Sequence, residues 1–344
     1  MGGWRSFHAA LDFFVSFCIK AKRKMKKPKA DLRKTLSIPV ISRLIKTDFN
    51  FCKKSFMQRR YFIKTTSLST IALAASATGV AAMLPLKKIP ALGVQLYMVK
   101  EDMEKDAAGT LHKLGAMGYT QIESYDGNKG MFWGMTNKAF KALTASAGLT
   151  MVSSHYNDDK IPFDTKAAMA AEIGMKYLIC PWKGPQKHID DFKRIADEFN
   201  ANGTICKKHG IKFGYHSHDY PFKEIDGQIP EDVLLANTDP DLVDFQMDFY
   251  YVVTQHKDPF AYLQKYKGRY KLCHMRDVLK VPLPAGSADE SACDLGQGII
   301  DYPKLIEASL SSGVEYFFVE QSRFYKETPL QSAQVNADYL KKFM

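Results

Sequence analysis

Eight short apolar runs recur between Leu92 and Glu320, each separated from the next by a longer amphipathic stretch, and no other feature constrains the fold as much. The runs are LGVQLY (92–97), YTQIES (119–124), TMVSSH (150–155), YLICP (177–181), KFGYH (212–216), LVDFQMD (242–248), YKLCH (270–274) and YFFVE (316–320). Their length and their wealth of β-branched and aromatic side chains suit strands buried on both faces of a parallel sheet. The segments between them predict helices, among them 103–117, 136–147, 188–209, 259–266 and 303–312. Gly118, Gly148, Gly174, Gly210, Gly268 and Gly313 fall between a helix end and the next run, where a left-handed C-cap belongs. Eight such βα units point to one closed (β/α)8 TIM barrel over residues 90–344 rather than an open doubly wound sheet. No GxGxxG follows the first run, which counts against a dinucleotide fold.

A net charge of +11 would suggest a nucleic-acid partner if it were spread evenly, but it is concentrated at the N-terminus. Residues 1–64 hold 17 Lys and Arg against three Asp, whereas the remaining 280 hold 31 against 34 acidic residues. The body is slightly acidic, and the electrostatic case for DNA or RNA binding falls away. Within 57–82 a twin arginine, Arg59-Arg60, precedes Phe62-Ile63-Lys64 and a mildly apolar, Ala-rich run from Leu68 to Ala82. That run is too short and too weakly apolar to span a bilayer of about 30 Å, and its small final residues suit cleavage after Ala82. The segment resembles a twin-arginine (Tat) signal peptide, with Gln58 where Ser or Thr is usual. An amphipathic helix is the alternative. Residues 1–56 form a basic leader with no repeat, read either as an extension from a mis-called start codon upstream of Met57 or as a tail that touches an anionic membrane surface.

These readings place the mature protein in the periplasm and confine membrane contact to export. An oxidising compartment permits disulfides. Cys180, Cys206, Cys273 and Cys293 show no CxxC and no zinc-type spacing, however, and are expected as free, buried thiols.

In a barrel of this kind the site lies at the C-terminal ends of the strands. Here those ends carry Glu123, His155, His216 with His218, Asp248, His274 and Glu320. Gathering so many ionisable groups at one mouth is costly unless something pairs them. Any one of them alone reads as a separately satisfied polar residue. His216, Asp248, His274 and Glu320 on four consecutive strands suit one divalent metal, with Mn, Co, Zn or Fe(II) preferred over Mg because two ligands are nitrogens.

Beyond these single residues, the segments GIKFGYHSHDYPF (210–222), VDFQMDFYYV (243–252), YKLCHMRD (270–277), DLGQGIIDYPKL (294–305) and YFFVEQ (316–321) carry a wider likeness. In their order and spacing the body resembles the sugar phosphate isomerase/epimerase family, the xylose isomerase-like TIM barrels, over about residues 90–343. The resemblance implies a metal held from strands five to eight, usually by Glu, Asp, His and Glu, which fall here on His216, Asp248, His274 and Glu320. The departure is His216. In the family's epimerases two metal-bound glutamates exchange a proton on opposite faces of the substrate, and one of them is missing here.

The implied activity is a metal-dependent isomerase or epimerase of a sugar, working through an enediolate. The alternative is a dehydratase or lyase acting on a ketosugar, keto-glycoside or cyclitol. Glu320 is the candidate base, and His218 or Glu123 the second proton carrier. His155 and Arg276 are candidates for substrate hydroxyls or a charged group, with Asp277 holding Arg276. Trp182 and Lys183 follow the fourth run and are candidates for sugar contact. Trp133, with Phe132 in GMFWGM (130–135), is a candidate lid. No phosphate cradle is visible, and the expected partner is a small-molecule carbohydrate. Two other classes share the fold: an abasic-site endonuclease, which needs more metal ligands and a basic face, and a non-catalytic sugar-binding barrel.

Overall fold

The computed structural model describes residues 88–157, 161–283, 291–324 and 327–344. The basic leader and the Tat-type segment lie outside the described residues. Eight parallel strands close into a barrel: β1 (Gly93–Gln95), β2 (Gln121–Tyr125), β3 (Thr150–His155), β4 (Tyr177–Cys180), β5 (Lys212–Ser217), β6 (Val243–Asp248), β7 (Tyr270–Met275) and β8 (Tyr316–Val319). Each pairs with its neighbours in sequence, and β8 closes onto β1. All eight fall on the apolar runs. β1 ends early because the Gln95 side chain accepts from the Tyr97 N–H and turns Leu96–Val99 into a 3-10 helix.

Helices α1 (Lys100–Ala116), α2 (Asn137–Ser146), α3 (Phe163–Ile173), α4 (Ile189–Lys208), α5 (Pro230–Asn237), α6 (Phe249–Thr254), α7 (Pro259–Lys265), α8 (Tyr302–Ser312) and α9 (Pro329–Leu340) surround the strands. α3 and α8 end on Gly174 and Gly313, whose φ angles of 93° and 102° only glycine adopts without strain. Between β7 and α8 lies an antiparallel ribbon, Asp277–Val278 with Ala292–Cys293, too short to leave a period in the sequence. Cys180, Cys206, Cys273 and Cys293 are free and buried.

The barrel interior is layered. Val152, Tyr177, Ile179, Leu272 and Phe318 form an apolar plug. Along a strand every second residue shares a face, so the next inward positions of β7 and β8 are His274 and Glu320. The plug shuts water out from below, which raises the cost of any unpaired charge placed above it.

One buried carboxylate ties a helix to the barrel wall. Glu231, in the first turn of α5, accepts from Ser217 on β5 at 2.8 Å and from the Tyr270 hydroxyl on β7 at 2.7 Å. Burial pushes its pKa up to about 7 against the pull of those two hydrogen bonds. The folded protein therefore binds a proton that the unfolded chain releases near pH 4.5, and stability falls as pH rises from there to about 7. Glu231→Gln removes that titration. Its unfolding free energy relative to the parent is expected to improve by roughly 1–3 kcal/mol between pH 5 and pH 8, as read by urea denaturation. A constant difference across that range would show that Glu231 does not titrate with folding.

Candidate active site

At the centre of the barrel mouth lies Glu123, fully buried in the middle of β2. Its carboxylate accepts from Gln95 (2.9 Å), Ser153 (2.6 Å), Gln246 (2.9 Å) and His274 Nε2 (2.5 Å), and His155 Nε2 stands 3.1 Å away. Burial alone would raise the Glu123 pKa, but the charges and hydrogen bonds of His155 and His274 outweigh it and hold it well below the usual carboxylate range. Glu123 is thus spent on the structure. It does not line the cavity, whereas His218, the other candidate for the second proton carrier, does.

His274 is held at both ring nitrogens, Nε2 by Glu123 and Nδ1 by Glu320 at 2.8 Å. Burial pulls its pKa down, but Glu320 and Glu123 prevail and push it up to about 10. The same imidazole lowers the Glu320 pKa despite burial. Asp248 does two jobs. Its Oδ1 caps α6 by accepting from the Tyr250 and Tyr251 N–H groups at 2.9 and 3.3 Å, and its Oδ2 lies 3.1 Å from the Arg276 guanidinium.

Nitrogen and oxygen atoms of His216, Asp248, His274 and Glu320 all lie within 4.8 Å of one another. One of them points to an ion. His216 Nδ1 is buried and meets no hydrogen-bond partner, whereas Asp248 Oδ2 is paired with Arg276. An unpaired buried atom of this kind is rare and costly. The donor set, two imidazoles and two carboxylates, matches a transition-metal site. The Glu123 contact would fix the His274 tautomer and leave Nδ1 for the ion. A second set, His155, His216 and His274, also converges within 4.8 Å, so the cluster is rich in nitrogen.

A cavity of ≈430 Å³ opens above the cluster, and His155, His216, His218, Arg276 and Glu320 all line it. His155 is also hydrogen-bonded to Gln246 at 3.0 Å and stacks on His274. Burial pushes the His218 pKa down to about 3, and its ring meets Trp182 edge-on with centroids 4.7 Å apart. Trp182 stands half exposed beside it. Arg276 is buried, with Tyr250 and Tyr251 each 4.4 Å from its guanidinium carbon and Ser322 accepting from it at 2.6 Å.

Three expectations are corrected. Lys183 does not line the cavity; its ammonium pairs with Glu198 on α4. Trp133 is no lid: it is buried and donates to Ser124 Oγ, while Phe132 packs on Phe140. Asp277 does not hold Arg276. It accepts from the N–H groups of Val278, Gly296, Gly298 and Ile300 at 2.8 to 3.1 Å and so builds the turn that follows the ribbon. A Cβ at Gly298 would stand 2.3 Å from Asp277 Oδ1, which is why this turn needs glycine.

The sequence reading also missed part of the wall. Asp126 and Asn157 line the cavity, and the buried Lys166 holds both, through the Asp126 carboxylate and the Asn157 carbonyl. Tyr97, Tyr125 and Tyr251 complete the aromatic part.

Fold and cluster together define a (β/α)8 barrel with a candidate divalent-metal centre at its C-terminal mouth. Its structural neighbours are sugar phosphate isomerase/epimerase and xylose isomerase-like TIM barrel proteins. The crystal structure of a sugar phosphate isomerase/epimerase from Parabacteroides distasonis is 28% identical, with a TM-score of 0.64 over 73% of this chain and 97% of that one. The IOLI protein with a bound zinc atom, at 16% identity and a TM-score of 0.58 over 74% of this chain and 99% of that one, shares the fold. Among curated proteins, the inosose dehydratase of Lacticaseibacillus casei is 25% identical over 143 residues, 39% of this chain. The chain spans about half of that relative's length, 47%. No family model matches the chain.

Glu123→Gln places an amide N–H₂ among donors that need an acceptor. It is expected to cost about 2–4 kcal/mol of stability and to weaken Zn(II) binding by about 10–100-fold, measured by urea unfolding and by calorimetric titration. Unchanged values for both would show that Glu123 does not organise the site.

Proposed function

We propose that the chain is a metal-assisted enzyme acting on a carbohydrate ketone, and that it removes the proton next to the carbonyl and then expels the neighbouring β-hydroxyl as water. The observation that carries this reading is the convergence of His216, Asp248, His274 and Glu320, of which Glu320 is the one carboxylate that also lines the cavity. These four residues would hold the ion. A bound divalent cation supplies Lewis acidity toward the carbonyl oxygen and lowers the cost of negative charge there.

The chain's own residues do the rest. Glu320 as carboxylate takes the C–H proton, and as carboxylic acid it returns that proton to the departing β-hydroxyl. One proton is taken and one is returned, so Glu320 ends as it began and an unsaturated ketone and water result. Arg276, pinned by Asp248, Ser322 and two tyrosines, and Asp126, pinned by Lys166, offer fixed polar groups to the substrate's hydroxyls. Asp277 builds the turn beside Arg276 and takes no part in the chemistry.

Elimination is favoured over epimerisation by His216. An imidazole bound through a ring nitrogen offers no carboxylate oxygen to return a proton on the second face. The likeness to inosose dehydratases supports the same reading. Isomerisation or epimerisation is the second reading, favoured by the likeness to the Parabacteroides isomerase/epimerase. The twin-arginine segment supports a periplasmic location for either.

NMR of the Zn(II)- or Mn(II)-loaded protein with ketosugars and keto-cyclitols in D₂O tests this. Loss of the β-hydroxyl is expected from a substrate that also exchanges its C–H proton, and Glu320→Gln is expected to slow both by at least about 100-fold. A deuterated epimer without water loss would establish the second reading. Exchange at the parent rate in Glu320→Gln would remove Glu320 as the base.

A further inference from the structure

The cavity has two chemically different ends. The inner end is the imidazole and carboxylate cluster, and the outer end is aromatic. Tyr97, in the turn after β1, and Tyr125, the last residue of β2, both line it and meet edge to face with centroids 5.1 Å apart. Tyr97 is 45% exposed, yet it is braced. The Lys100 ammonium lies 4.1 Å from its ring centroid, and Tyr125 packs edge-on against Trp133 at 5.3 Å. Trp133 is fixed in turn, its indole N–H donating to Ser124 Oγ at 3.2 Å and that hydroxyl donating to the Met131 carbonyl at 2.8 Å.

The backbone is strained to make this brace. Trp133 has a φ of +56°, in the left-handed region that bulky residues avoid, between Gly130 at +71° and Gly134 at +78°. Such outliers persist where the surroundings over-determine them, and they gather at functional sites. Here the strained turn seats Trp133 against Tyr125 and so stiffens the outer end of the cavity. Other exposed apolar side chains stand in the same set of loops: Ile161 after β3, Trp182 after β4, and Leu279 and Ile299 after β7. A volume of ≈430 Å³ lies in the range of about 300–1,000 Å³ that encloses a drug-sized ligand.

We propose that Tyr97, braced by Tyr125 and through it by Trp133, forms an outer subsite that stacks on a second ring attached to the reactive sugar, so that the substrate is a glycoside of a ketosugar rather than a free monosaccharide. For its inner end the proposal rests on the carbohydrate reading above. A rigid tyrosine face suits an aryl group or the apolar face of a second pyranose, and its pre-organisation lowers the entropy lost on binding.

Methyl β-glucoside and phenyl β-glucoside test it, because neither carries the ketone and neither can be turned over. Saturation-transfer NMR and calorimetry on the full-length, Zn(II)-loaded protein are expected to show the phenyl compound binding about three- to tenfold more tightly than the methyl compound. Tyr97→Ala is expected to erase that preference and to leave methyl glucoside binding within about twofold. Tyr97→Phe, which keeps the ring, is expected to retain the preference. Equal affinity of the parent for the two glucosides, or an equal loss for both in Tyr97→Ala, would overturn the outer subsite. Either result leaves the deuterium exchange of free ketosugars untouched. Conversely, failure of every ketosugar to exchange would defeat the enzyme reading without altering the phenyl preference.

Discussion

The hydrogen bond between Glu123 and His274 is the contact on which the rest of the site depends. A carboxylate on the axis of a barrel, with an apolar plug below it, is held there by donors from β1, β3, β6 and β7. Leaving such a group unpaired would cost several times what a surface contact contributes, so the four strands are tied to one geometry. The contact also fixes the His274 ring, with Nε2 committed to Glu123 and Nδ1 turned to Glu320. An ion bound at Nδ1 would replace the proton shared there, and Glu123 would continue to balance the charge.

The same economy appears around Asp248, which joins fold to site. Its Oδ1 caps α6, its Oδ2 faces both the cluster and Arg276, and β6–β7 register sets it beside His274. Arg276 lies against two tyrosines of the first turn of α6, Tyr250 and Tyr251. The helix cap, the candidate metal ligand and the fixed guanidinium are therefore one unit, and a change at any of the three is felt at the others.

Much of this is legible in the sequence, for a physical reason. Strands buried on both faces read as unbroken apolar runs, and a polar residue that ends such a run has to stand at the barrel mouth. His216, Asp248, His274 and Glu320 are visible on those grounds. What spacing cannot show is which groups meet across the axis. Glu123 looks like a free carboxylate because nothing local announces that Gln95, 28 residues away, and His274, 151 residues away, turn toward it. Asp126 escapes because the apolar run ends before β2 does. Lys183 and Trp133 sit in loops, where Glu198 and Ser124 decide which way the side chain goes.

An anomalous-difference map from crystals soaked in Zn(II) measures the central claim most directly. A single peak is expected at about 2.0–2.2 Å from His216, Asp248, His274 Nδ1 and Glu320, with His274 Nε2 still hydrogen-bonded to Glu123. A peak bonded to His155 in place of the two carboxylates, or no peak among these residues, would contradict it.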